Sequence, residues 1–147
     1  MTSRISISVA LLGYEDSGKT TLLMRWLYPS KGFQYVSDTV GIEMTASTIK
    51  FDQGLQTLKF WDTSGRTLYE TLLDSYIYNS TIAIVVFDVG QKESWEKADF
   101  WINKIRKKNG KDHPVLIIGN KIDNECYRKI HKIDVMTCIR ELDMNNV

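Results

Sequence analysis

Cysteine is nearly absent from this chain: Cys126 and Cys138 are the only two in 147 residues. They lack the paired spacing of a zinc site or a redox motif. That excludes a disulfide scaffold and leaves two reduced residues expected on helices of a cytosolic protein. No charge of one sign dominates either. Nineteen Lys and Arg face eighteen Asp and Glu, for a net charge of +1, so nothing drives the chain as a whole toward nucleic acid or an anionic membrane. Long hydrophobic runs are missing, and no stretch approaches the length of a membrane span. The start, MTSRISISVALLG, has too short an apolar segment and no small-residue cleavage site for a secretory signal. Thr2 stands where N-myristoylation needs glycine. Low-complexity tracts, internal repeats and Pro/Gly-rich linkers are also lacking. What remains is a length typical of one domain, with 43% hydrophobic residues, enough to build a sizeable core.

The most informative stretch present is Gly13-Tyr-Glu-Asp-Ser-Gly-Lys-Thr20, which has the P-loop form G-x-x-x-x-G-K-[ST]. Gly13 and Gly18 allow a tight turn whose successive N–H groups point inward at phosphate oxygens. Lys19 is long enough to reach the β- and γ-phosphates, and the Thr20 hydroxyl suits Mg²⁺. The context agrees. Ile5–Leu12 is an apolar, β-branched run that reads as a strand, and Thr21–Tyr28 reads as a helix opening on the loop. A helix N-terminus facing an anion is what such a motif requires.

Strands and helices alternate beyond it. Tyr28–Val40 is a polar loop broken by Pro29 and Gly32. Ile42–Phe51 and Leu55–Trp61 flank the turn signal Asp52-Gln53-Gly54 and predict a hairpin. Thr67–Tyr78 has helical spacing at Leu68, Leu72, Leu73 and Tyr76. Thr81–Val89 is a continuous apolar run, as a buried strand requires. Lys92–Lys108 is a long amphipathic helix with Trp95, Ala98, Phe100, Trp101, Ile102 and Ile105 as its apolar candidates. Val115–Gly119 is another buried strand, and Ile130–Leu142 a last helix. The implied fold is α/β: a mostly parallel sheet covered on both faces, with one antiparallel edge strand.

Three further signals sit at strand ends or in the loop after the first helix. Asn120-Lys121-Ile122-Asp123 resembles the base-recognition motif N-K-x-D of the GTPase superfamily, in which Asp123 accepts from the N1–H and exocyclic amine of guanine. Asp62-Thr63-Ser64-Gly65 resembles D-x-x-G, with Asp62 toward Mg²⁺ through water and the Gly65 N–H toward the γ-phosphate. Thr39 matches the switch threonine that completes the Mg²⁺ shell; hard Mg²⁺ favours such oxygen ligands. In this order and at these separations, the set looks like the Ras superfamily and is most similar to its Rab branch. Thr39-Val-Gly-Ile-Glu-Met44, Leu58-Lys-Phe-Trp-Asp-Thr-Ser-Gly65 and Ser75-Tyr-Ile-Tyr-Asn-Ser80 carry that similarity, and SYIYNSTIAIVVFDV resembles the Golgi-acting subgroup.

The resemblance implies a small G domain that switches between GTP and GDP, with Mg²⁺, in vesicle traffic. Expected nucleotide contacts are Gly13, Glu15, Asp16, Ser17, Gly18, Lys19, Thr20, Thr21, Thr39, Asp62, Gly65, Asn120, Lys121 and Asp123. Phe33 is the expected cover of the guanine face, with Tyr28 and Tyr35 as runners-up. Thr20, Thr39 and Asp62 form the metal set. Lys19, Thr39, Gly65 and Arg66 are the positions where hydrolytic chemistry is expected. Met44, Trp61 and Tyr76 fall where Rabs present an apolar triad to effectors; read alone, they are ordinary core residues. An exchange factor and a GTPase-activating protein are implied as partners, nucleic acid is not. The expected place is the cytoplasm, peripheral on Golgi or endosomal membranes through a prenyl anchor whose Cys motif is absent from this sequence.

Departures from the family pattern stand beside these matches. Arg66 replaces the glutamine that orients the attacking water, and arginine has no acceptor. Thr67 follows it where an acidic residue is common. Glu15 occupies a P-loop position that prefers a small residue; it and Asp16 either add repulsion near the γ-phosphate or point to solvent. The last strand, Ser-Ala-Lys-type guanine loop and final helix of the family have no counterpart here, which leaves Val115–Gly119 at a sheet edge. These features favour an alternative of another class, a nucleotide-binding module with negligible catalysis. An ATP-using P-loop kinase is disfavoured by Asp123 and by the absence of a lid segment. Lys104, Arg106, Lys107, Lys108 and Lys111 read as a solvated helix end, and His113 and His131 as surface residues.

Overall fold

Alternation along the first strand, β1 (Ser6–Gly13), divides the core in two. Successive side chains of a strand point to opposite faces, so Ala10 and Leu12 join one cluster while Val9 and Leu11 join another. A computed structural model of the chain describes residues 6–30, 38–52, 54–66 and 69–144. The remaining strands are β2 (Ile42–Phe51), β3 (Gly54–Thr63), β4 (Ile82–Asp88) and β5 (Val115–Asn120). They form one sheet in the order β2-β3-β1-β4-β5. β1 pairs in parallel with β3 and β4, β4 in parallel with β5, and among the described residues only β2 with β3 is antiparallel. This is the expected α/β architecture, with the hairpin strand at one edge and β5 at the other.

Helix α1 (Lys19–Leu27) places Leu23 on Val9, Leu11, Phe60 and Val86. On that face Ile7, Ile82, Ile84 and Ile118 are only partly buried. The opposite face is thicker. α2 (Glu70–Tyr78) and α3 (Lys92–Asn109) bury Leu73, Ile77, Ala98, Trp101, Ile102 and Ile105 against Val85 and Phe87. Ile130 completes this cluster, and Val135 of α4 (Lys132–Met144) packs on its rim. Among the described residues no helix is long and apolar enough to cross a membrane.

Several expectations need correction. α1 begins at Lys19 rather than Thr21, because Gly18 at φ 88° serves as its cap, a left-handed conformation that glycine adopts without penalty. The described part of α2 starts at Glu70; Thr67 and Leu68, where a helix start was expected, lie outside the described residues, as does Gln53 of the hairpin turn. Phe100 is not core but 41% exposed, with Lys97 and Lys104 over its ring at 4.4 and 5.6 Å. The basic end of α3 is not simply solvated. Lys104 and Lys108 reach Asp74 of α2 at 2.6 and 2.7 Å, hydrogen bonds that hold the Asp74 carboxyl below its usual range. Arg106 donates to the backbone oxygens of Lys111 and His113 at 2.6 Å each. His113 sits between Ser80 Oγ and Asn109 Nδ2, and burial with the nearby Arg106 charge lowers its pKa. Both cysteines are free; Cys138 lies on α4, but Cys126 falls in a short 3-10 turn, Glu125–Tyr127.

Candidate functional site: a phosphate pocket at the strand ends

The loop between β1 and α1 wraps around the lysine at its end. Lys19 is 6% exposed, and its ammonium donates to the Tyr14 and Gly13 carbonyls at 2.7 and 3.3 Å. Burial pulls its pKa down to about 8, against the opposing pull of Asp62, Asp16 and Glu15. Ser17, fully buried, donates from Oγ to the Tyr14 carbonyl at 2.9 Å. Asp16 takes the left-handed conformation at φ 57°, which aspartate tolerates better than most residues. Gly18, Lys19, Thr20 and Thr21, at the start of α1, line one concavity, and the first turn of a helix leaves N–H groups unpaired for an anion.

Around that concavity stand Glu15, Asp16, Gly18, Lys19, Thr20, Thr21, Asp38, Thr39, Thr63, Ser64, Gly65 and Arg66. The three expected metal ligands meet there. Thr20 Oγ1 lies 2.9 Å from Thr39 Oγ1 and donates to Asp62 Oδ2 at 2.5 Å, while Thr39 Oγ1 reaches the same oxygen at 3.4 Å. Asp62 is 2% exposed. Burial raises its carboxyl pKa, partly offset by Thr20, Lys19 and Thr39. Its second oxygen, Oδ1, is buried with no hydrogen-bond partner among the described residues, a costly arrangement for a carboxylate. Two hydroxyls and a carboxylate with a spare buried oxygen are the hard donor set that Mg²⁺ takes, so the residues fit that ion.

The Asp62–Gly65 segment closes on the P-loop. A Cβ added at Gly65 would lie 2.1 Å from the Glu15 nitrogen and 2.3 Å from the Tyr14 carbonyl carbon, so only glycine permits this approach. Ser64 N–H donates to the Gly41 carbonyl at 2.7 Å, tying the segment to the turn before β2. Arg66 points along the rim to Asp38 at 3.1 Å and Glu15 at 3.7 Å. Glu15 is therefore exposed but engaged, contrary to the alternatives of bare repulsion or idle solvation.

Asn120, Lys121 and Asp123 stand beyond this pocket and are linked to it. Asn120 Nδ2 donates to the Ser17 carbonyl at 2.8 Å. Lys121 reaches Asp88 at 2.9 Å, and Asp88, at the end of β4 beside Asn120, accepts from the Gly90 N–H through Oδ1. Asp123 is exposed on the following turn. Phe33, with its runner-up Tyr35, lies outside the described residues; Tyr28 is 44% exposed at the end of α1. Sequence reasoning missed Asp38 and Asp88. Asp88 had a signal, an acid closing a buried strand at the carboxyl edge of the sheet where ligands bind; Asp38 offered only adjacency to Thr39.

A P-loop opening a helix, an acid and two hydroxyls converging on it, and a second loop tied in through Asn120 define a nucleotide-binding G domain. The sequence model of the Ras family matches residues 8–147, and the chain belongs to that family. It is a small GTPase, a nucleotide-binding switch of the class that takes GTP and GDP, generally with Mg²⁺.

Proposed function

We propose that this protein is a Rab-type switch of membrane traffic that binds GTP and GDP and hydrolyses GTP slowly. The observation that carries the reading is the meeting of Thr20, Thr39 and Asp62 beside buried Lys19. Lys19 supplies fixed positive charge to the phosphoryl oxygens, and Mg²⁺, when held by Thr20, Thr39 and Asp62, adds more where charge develops. Thr39, in the loop before β2, and Gly65, in the loop after β3, sense the γ-phosphate, and its loss releases both. Asp123 reads guanine by accepting from its two donors, positioned through Asn120 and the Lys121–Asp88 pair.

The Rab assignment rests on the stretches around Met44, Trp61 and Tyr76. Met44 is 52% exposed and pairs across the hairpin with Trp61, whose ring lies 4.9 Å from that of Tyr76. An apolar surface spanning β2, β3 and α2 suits an effector that discriminates the two nucleotide states. An exchange factor, an activating protein and Golgi or endosomal membranes complete this reading.

A second reading, a binding module with negligible turnover, is favoured by one observation: Arg66 is held by two carboxylates and offers no acceptor for a water. Single-turnover release of γ-phosphate from GTP-loaded protein separates the two. The switch reading expects a slow, measurable rate that Arg66→Gln raises about tenfold, or about 1.4 kcal/mol of barrier. A rate indistinguishable from uncatalysed hydrolysis in both proteins, even with a Rab activating protein, establishes the binding module. A fall on Arg66→Gln instead makes Arg66 a resident stabiliser of phosphate charge.

A further inference from the structure

We infer that Arg66, Glu15 and Asp38 form an ionic clasp across the mouth of the phosphate pocket and that this clasp slows nucleotide release. The inference rests on the nucleotide reading above and adds a role for three rim residues. They come from three segments: Glu15 from the P-loop, Asp38 from the loop before β2, and Arg66 from the loop after β3. All three line the same concavity. One guanidinium spans the gap, with Nη2 at 3.1 Å from Asp38 Oδ2 and Nε at 3.7 Å from Glu15 Oε2. The approach of Gly65 to the Glu15 backbone sets the neighbouring Arg66 within this reach.

The electrostatics are otherwise unfavourable. Two exposed carboxylates beside a phosphate site repel the ligand that the site is built to hold. The fork of an arginine has five donors and answers both acids at once while joining the segments that frame the pocket. A nucleotide leaving through that mouth parts those segments and breaks both pairs. Each pair is about half exposed or more, so each contributes modestly and is screened by salt. Two pairs together correspond to about fivefold in rate, or about 1 kcal/mol.

A competing role for Arg66, direct attraction of the phosphates, also predicts faster release when the charge is removed. The carboxylates separate the two. If Arg66 acts on phosphate directly, neutralising Glu15 or Asp38 removes repulsion and slows release. If the clasp holds, neutralising either acid cuts a tie and speeds release.

The test is dissociation of N-methylanthraniloyl-GDP from the full chain, chased with excess GDP, at 50 and 500 mM KCl. Arg66→Gln should release about fivefold faster at low salt, and Glu15→Gln and Asp38→Asn about twofold faster each. Adding either acid substitution to Arg66→Gln should not speed release further and should slow it somewhat, because the tie is already gone and only the repulsion remains to be removed. High salt should accelerate the wild type and leave Arg66→Gln within about twofold, while Arg66→Lys should retain part of the slow release. Slower release from Glu15→Gln or Asp38→Asn, full additivity in the double variants, or an unchanged rate in Arg66→Gln overturns the clasp. If the wild type fails to bind the labelled GDP at equilibrium, the nucleotide reading falls and takes the clasp with it.

Discussion

Replacing Lys19 by methionine should stabilise the free protein while removing its affinity for nucleotide. Lys19 is charged at pH 7 although burial holds its folded pKa near 8 rather than 10.5. That displacement costs the folded chain about 3 kcal/mol. Against it stand the hydrogen bonds from the ammonium to Tyr14 and Gly13, each worth about 1 kcal/mol net. Methionine fills the space of the lysine stem and adapts to its walls. The balance is a gain of about 1 kcal/mol, which for a chain of this length raises the melting temperature by about 3 °C. The sign of the pH dependence follows from the lowered folded pKa. Stability linked to Lys19 is present above pH 10.5 and is lost as pH falls through about 8, so the variant's advantage is full below pH 8, closes within about one pH unit above it, and reverses to a deficit of about 2 kcal/mol as pH rises toward 10.5. Thermal melts in EDTA at pH 7 and pH 10, with equilibrium GDP binding at pH 7, measure all three. A variant that melts below the wild type at pH 7, or a gap that does not close at pH 10, refutes the reasoning; retained GDP affinity refutes the role of Lys19 in the site.

Three other substitutions test separate parts of the site. Asp62→Asn removes a buried carboxylate whose pKa is raised mainly by burial, so melting in EDTA should stay level or rise, while the Mg²⁺ dependence of GDP affinity weakens about tenfold or more; an unchanged Mg²⁺ dependence would falsify the ligand assignment. Gly65→Ala places a methyl carbon 2.1 Å from the Glu15 nitrogen, and the urea midpoint should fall by an amount equivalent to about 1–3 kcal/mol; an identical midpoint means that the segment does not rest on the P-loop. Asp123→Asn should turn preference from guanine toward xanthine nucleotides in competition binding, since the amide donates to the xanthine C2 carbonyl, and an unaltered preference for GDP would place base recognition elsewhere.

The fold was legible because its signals are local. Period-2 alternation and the Asp52–Gly54 turn located β2 at its observed bounds, and continuous apolar runs located β4 and β5 to within a residue or so. α1 was placed two residues late because its cap is Gly18, with no side-chain hydrogen bond to announce it; the usual Ser, Thr or Asp signal is missing. The phosphate pocket was legible for the same reason, since the P-loop is contiguous and Asp62–Gly65 is a short motif at a strand end. Asp38 was not legible and Asp88 was legible only by its place at a strand end, because their partners are set only by folding. β4–β5 register sets Asp88 beside Asn120, and the packing of three loops sets Asp38 beside Arg66.

The two departures at the site illustrate how tertiary structure changes the meaning of a residue. Taken one at a time, Glu15 is an acid where phosphate binds and Arg66 is a cation that holds no water. Each reads as damage, and two such losses argue for a degraded site. Folding brings them within 3.7 Å, and the charges that were separately unfavourable become partners. The pairing still removes the glutamine's acceptor, so it does nothing to restore the orientation of an attacking water. It does reduce the repulsion that Glu15 and Asp38 present to phosphate. On the proposed reading, a site of this kind retains nucleotide better than it turns it over, because the guanidinium that closes the rim supplies no acceptor for an attacking water. On that reading slow chemistry and slow release are both expected of one residue, Arg66, and they separate experimentally: Glu15→Gln and Asp38→Asn should alter release without supplying the acceptor that Arg66 lacks.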